Sequence, residues 1–288
     1  MSDSFALNTR TVEKVWGRDV LPAPFTAPAD QRIGEIWFEP PEDFDQLLIK
    51  YLFTSQKLSV QVHPDDDQAQ AAGLGRNGKE ECWLVLAADV DAMLGIGFSK
   101  PLPADAMRRA ALDGSIEQLL AWHPVSAGDF FHIPANTVHA IGPGVSLVEV
   151  QQNSDITYRL YDYGRPRELH LDAGIAVALG EPYPDQLRRA VGHAGSVNLV
   201  DGPHFRLDRI DGPVSSAIAD EYPGRLLVLP LDGPVMVGDC TLEAGECAVT
   251  ASIGDVHIPA GTRCLLTRPV IQDRGKSAPT TRARSAFE

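Results

Sequence analysis

Only four cysteines occur in the 288 residues, at positions 82, 240, 247 and 264, and no two form a Cys-x-x-Cys pair. That excludes a disulfide framework and a four-thiolate zinc finger, and the thiols read as those of a reducing, cytoplasmic compartment. Positive charge is also short: 25 Lys and Arg against 39 Asp and Glu leave a net charge of −14. Such a balance argues against nucleic acid and against anionic membranes as partners, though a local basic pocket can still hold a phosphorylated metabolite. No stretch approaches the roughly 18 apolar residues of a membrane span. The first residues lack the basic-then-apolar run of a secretion signal. The chain is expected to work as a monomer or a weak homodimer.

Glycine and proline are plentiful, 25 and 22, and 44% of residues are hydrophobic, which together suit many short strands around a sizeable core. Strands are expected over residues 11–16, 34–39, 46–53 and 78–86. Residues 103–122 change character: Met107, Ala110, Ala111 and Leu119 recur at helical spacing and Gly114 interrupts them, which predicts two short helices inserted into a β pattern. From 190 to 272 the pattern is again strand-like, with Gly-Pro turns at 202, 212 and 233. From residue 273 the chain has little to bury and reads as a disordered tail.

The stretch from Leu58 to Asp66 organises the rest. As a strand it points Leu58, Val60 and Val62 to one face and Ser59, Gln61 and His63 to the other. Gln61 and His63 then lie roughly 6–7 Å apart, close enough to share a metal ion. By itself this is equally an amphipathic strand with a solvated face. Downstream, Lys79, Glu80 and Glu81 stand at the mouth of an otherwise apolar strand, where a carboxylate can reach the same ion.

Gly128-Asp129-Phe130-Phe131-His132-Ile133-Pro134-Ala135-Asn136-Thr137-Val138-His139 resembles the second motif of the cupin family, with Asn136 where glycine is usual. Asn tolerates the left-handed turn best among non-glycine residues. A partial repeat at 254–264 places Cys264 where His139 stood, with no Gln-x-His before it. The resemblance implies a mainly β fold of two cupin-type β-barrels (jelly rolls) with a small helical insertion. The expected division is residues 1–185 as a metal-binding catalytic barrel, 186–272 as a second, metal-free barrel with Cys264 a buried structural thiol, and 273–288 as the tail.

Gln-x-His-Pro-Asp-Asp at 61–66, Gly-Lys-x-Glu-x-Trp at 78–83, Ile-Pro-Ala-x-Thr-x-His-Ala at 133–140 and Glu149–Asp162 together resemble the short bacterial form of type I mannose-6-phosphate isomerase. The resemblance implies one Zn²⁺ or other divalent ion per chain, held by Gln61, His63, Glu81 and His139. It also implies active-site roles for Arg159, Lys79 and Glu149, and phosphate binding by Ser59 and Lys50. Glu80 departs from the small residue usual there and is expected to add negative charge beside the metal. The implied reaction interconverts D-mannose 6-phosphate and D-fructose 6-phosphate through an enediolate, with Glu149 or Lys79 as the base. Two other readings use the same frame: an isomerase of a different phosphosugar, and a non-catalytic sugar-binding or regulatory cupin.

Overall fold

The computed structural model describes residues 4–192 and 194–270. The expected tail therefore lies outside the described residues. The chain forms four antiparallel sheets, of seven, six, five and three strands. The seven-stranded sheet runs Arg188–Ala190, Asp129–Ile133, Glu81–Ala88, Val145–Gln152, Leu47–Phe53, Ile33–Phe38 and Thr9–Arg18. Facing it is the five-stranded sheet, in the order Tyr158–Tyr161, Val60–Val62, His139–Ile141, Met93–Phe98 and Leu120–Pro124.

Side-chain alternation assigns each face. In Leu47–Phe53, residues 47, 49, 51 and 53 join a core shared with Phe205, Leu207, Leu227, Leu229 and Leu265 of the six-stranded sheet. Leu52 turns the other way, into a core with Trp83, Val85, Leu94, Ile96 and Ile141 between the seven- and five-stranded sheets. Both faces of the seven-stranded sheet are thus dry, which explains why its central strands read as near-continuous apolar runs. The far face of the six-stranded sheet is closed by the three-stranded one, through Val228, Leu266, Val235 and Val237.

The two short helices expected near 103–122 are found as Ala104–Asp113 and Ile116–Leu119. Gly114 ends the first at φ +82°, a left-handed cap that only glycine adopts cheaply. Met107, Ala110, Ala111 and Ile116 pack on Val60, Val62, Val138 and Ala140, the outer face of the five-stranded sheet. The insertion is therefore a cover over the outer face of that sheet. No ladder closes on itself among the described residues, so the expected jelly rolls are built as facing antiparallel sheets. The repeat survives in the backbone: Asn136 at φ +72° and Gly261 at φ +80° make the same left-handed turn. Cys264 is buried in the three- and six-stranded core, and burial pushes its thiol far above the ordinary range. No helix among the described residues is long and apolar enough to cross a membrane.

Candidate metal centre and active site

Two rows of cross-strand neighbours face one another between the five- and seven-stranded sheets. On the first, Arg159 pairs with Gln61, Gln61 with His139 and His139 with Ile96. Directly paired residues share a face, so Arg159, Gln61 and His139 point together. On the second, Trp37 pairs with Lys50, Lys50 with Glu149 and Glu149 with Trp83. Glu81 lies one pleat along from Trp83, on the same face. His63 and Lys79 sit on the short segments that leave one sheet and enter the other, tied by Lys79 N donating to Pro64 O at 3.0 Å.

The histidine tautomers follow from their backbone partners. His63 Nδ1 lies 2.7 Å from Ile156 O, and His139 Nδ1 lies 2.9 Å from Thr137 O. A carbonyl only accepts, so each Nδ1 carries the hydrogen and each Nε2 turns a lone pair inward. Both converge on Glu81: His63 Nε2 at 3.6 Å from Oε2, His139 Nε2 at 3.3 Å from Oε1. Glu81 Oε1 is buried and has no hydrogen-bond donor. A carboxylate oxygen and an imidazole lone pair facing across 3.3 Å repel unless a proton on Glu81 or a cation joins them, and a cation satisfies both histidines at once. The ligand atoms of His63, Glu81 and His139 all lie within 4.8 Å of one another, so these residues fit a divalent ion. Gln61 completes the expected set: its amide nitrogen is 3.2 Å from His139 Nε2, and its oxygen accepts from Ser59 Oγ at 3.2 Å. A half-turn of the amide exchanges the two atoms and presents oxygen.

Burial, then the nearby Lys79 ammonium, hold His139 down at about 4, and the same causes together with His139 hold His63 well below its ordinary range. Both rings are neutral at pH 7, the form that ligates. Burial first and Glu149 second raise Glu81 to about 7, against the pull of Lys79 and Lys50. Burial also acts to raise Glu149, but Lys50, Lys79 and the Trp83 indole outweigh it and hold that carboxyl at about 2. The contacts are direct: Lys50 Nζ lies 2.8 Å and Lys79 Nζ 3.7 Å from Glu149 Oε1, and Trp83 Nε1 donates to Oε2 at 2.9 Å. Lys79 also donates to His63 Nε2 at 3.0 Å and to Glu81.

The expected residues are therefore brought together: Ser59, Gln61, His63, Lys79, Glu81, His139, Glu149 and Lys50 share one buried cluster, with Arg159 alongside. Glu80 is the exception. It faces the opposite side of its strand, where His132 Nε2 lies 3.1 Å from its carboxylate, so it adds no charge beside the metal position. Strand alternation is the physical reason, since neighbours 80 and 81 cannot share a face. Sequence reasoning saw Trp83 only as part of the 78–83 motif and missed its indole as the donor to Glu149. It also missed Asn136 as more than a turn residue: its amide donates to Gln68 Oε1 at 2.6 Å, and its N–H donates to His63 O at 2.7 Å.

The chain is 34% identical over 241 residues to mannose-6-phosphate isomerase ManA of Bacillus subtilis, covering 77% of this chain and 74% of that protein. The chain belongs to the mannose-6-phosphate isomerase family. A second relative, mannose-6-phosphate isomerase of Streptococcus mutans, is 43% identical over 143 residues, 47% of this chain and 45% of its own length. No family model matches the chain. Among solved structures, the mannose 6-phosphate isomerase from Bacillus subtilis superposes with a TM-score of 0.75 at 24% identity, covering 93% of this chain and 100% of that one. A phosphomannose isomerase variant from Salmonella typhimurium gives 0.73 at 15% identity, over 94% of this chain and 100% of that one. These two likenesses show that the stacked antiparallel sheets are the family's fold.

Proposed function

We propose that this protein is an aldose–ketose isomerase that interconverts D-mannose 6-phosphate and D-fructose 6-phosphate with one divalent metal ion per chain, Zn²⁺ in the first instance. The observation that carries the reading is the convergence of His63 Nε2 and His139 Nε2 on the buried Glu81 carboxylate, whose Oε1 has no donor, in a chain of this family. His63, Glu81, His139 and the Gln61 amide oxygen would hold the ion. Once bound, it would polarise the sugar oxygens and stabilise negative charge next to the reacting carbons.

The remaining residues divide the work. Isomerisation needs a proton taken from carbon 2 of the aldose and returned to carbon 1, with the charge between those events spread over an enediolate. A base held at about 2 is weak at neutral pH, so Glu149 is better suited to positioning Lys50 and Lys79 than to taking that proton. Lys79 is the better proton carrier: it already touches His63 and Glu81, atoms a divalent ion would claim, and that competition would free its ammonium toward the substrate. Arg159 supplies a fixed guanidinium for the developing charge. Ser59, which donates to Gln61, and Lys50, which rests on Glu149, are assigned the phosphate.

The test is an assay of both directions on several phosphosugars, before and after chelation and after re-addition of Zn²⁺, Mn²⁺ or Co²⁺. Loss on chelation, recovery with metal, one equivalent bound per chain and a preference for the mannose/fructose pair are expected. Full activity after complete metal removal, or no turnover of any phosphosugar, would overturn the reading.

A further inference from the structure

A cavity of about 360 Å³ lies between the seven- and six-stranded sheets, on the side of the seven-stranded sheet opposite the metal centre. Its walls are mostly apolar, with Phe25, Tyr51, Phe53 and Leu231 among them, but Ser146, Arg209 and Arg263 also line it, Arg263 being paired with Asp232. Ser146 is 2% exposed, and its hydroxyl has no hydrogen-bond partner. Arg209 is 3% exposed, and its Nε–H is buried without an acceptor. Its two terminal nitrogens donate only to backbone carbonyls, of Gly192 and Gly195.

No carboxylate lies within 4.0 Å of the Arg209 guanidinium among the described residues. The acids nearest in electrostatic effect are Asp211 and Asp232. Asp232 is taken by Arg263 at 2.6 Å, and Asp211 accepts from Gly195 N at 2.7 Å. A covered cation without a counter-ion costs several kcal/mol, roughly, unless something pairs it. One unmatched positive charge, one free N–H and one free hydroxyl beside an apolar wall describe the complement of a single carboxylate on an apolar body. The volume stands at the lower end of the roughly 300–1,000 Å³ typical of small-molecule sites.

We infer that this cavity is a second binding site, for a small organic carboxylate with an aromatic or aliphatic body, whose carboxylate meets Arg209 and Ser146. It is separate from the metal centre, because the intervening sheet presents residues 47, 49, 51 and 53 to this side and Lys50 to the other. A ligand here would touch both halves of the chain at once.

Calorimetric titration of the metal-loaded protein with 3-phenylpropionate tests this, with 3-phenylpropanamide as the uncharged match and D-mannose 6-phosphate saturating throughout. One equivalent should bind, with the amide weaker by at least about tenfold. Arg209→Met should weaken binding by a similar factor, and Leu231→Trp, which fills the space, should abolish it. Circular dichroism and unchanged isomerase turnover establish that both variants fold. Equal binding of acid and amide, no binding up to about 10 mM, or undiminished binding in Leu231→Trp would each overturn the inference.

Discussion

Arg159 is half-buried on the same row as Gln61 and His139, and its side chain makes no hydrogen bond or ion pair among the described residues. The acid that competes for it in sequence, Asp162, is already held by Arg167 at 2.6 and 2.7 Å and by Arg165 at 2.8 Å. Its guanidinium is therefore left without an ion-pair partner among the described residues, and the proposed reaction gives it one. Arg159→Ala should lower kcat by about a hundredfold or more, with KM and Tm little changed. Arg159→Lys should recover part of the loss, because a point charge does not replace the planar fork. Steady-state kinetics on the two variants decide; a normal kcat in the alanine variant removes Arg159 from the mechanism. The histidines give a second expectation at this scale. Below the ordinary 6.5, an unfolded chain protonates both, whereas folded His139 waits until about 4 and His63 stays well below its usual range. Glu81 works the other way between 4.5 and about 7, since its folded form takes the proton first. Two groups against one leave the unfolded state binding more protons, so stability falls with falling pH across that window. The Tm of chelator-treated protein should drop from pH 6.5 to pH 4.5; a flat or rising Tm refutes the assignment of neutral histidines.

At the scale of elements, the site depends on how closely two segments approach. A Cβ on Gly78 would lie 2.5 Å from Pro64 O and 2.6 Å from Asp65 Cα, both backbone atoms that cannot swing aside. Gly78→Ala should therefore part the segment carrying Lys79 and Glu81 from the one carrying His63. It should cost about 1–3 kcal/mol of stability and weaken metal binding more than it lowers Tm. Metal titration alongside thermal melts checks this, and unchanged metal affinity would contradict it. The same contact shows what can be read in the chain before it folds. Gln61 and His63 on one strand face follow from alternation, and the helical cover over 104–119 follows from its apolar spacing and Gly114. The row of Trp37, Lys50, Glu149 and Trp83 does not, because it depends on the register of strands up to about a hundred positions apart. For the same reason Glu80 was given the wrong side: at a strand mouth, sequence does not say where the pleat begins.

For the whole molecule, one apolar core is common to the seven- and six-stranded sheets, and a shared core of this kind is expected to couple the unfolding of the two halves. All four tryptophans, 16, 37, 83 and 122, lie in the first half. Their fluorescence reports that half, while far-ultraviolet circular dichroism reports every strand. The two signals should give coincident denaturant midpoints in a single transition. Separated midpoints would mean that the halves unfold independently.

The strand Phe5–Ala6 pairs not with the sheets of its own half but with Ala248–Val249, at the edge of the six-stranded sheet. During synthesis the first of these strands leaves the ribosome roughly 240 residues before its partner exists, which is about 12–50 s at ordinary elongation rates. Through that interval the sheets that carry His63, Glu81 and His139 can assemble while residues 5–6 wait unpaired. That edge of the six-stranded sheet is finished only when residues 5–6 return to it, so segments roughly 240 positions apart are stitched into one sheet.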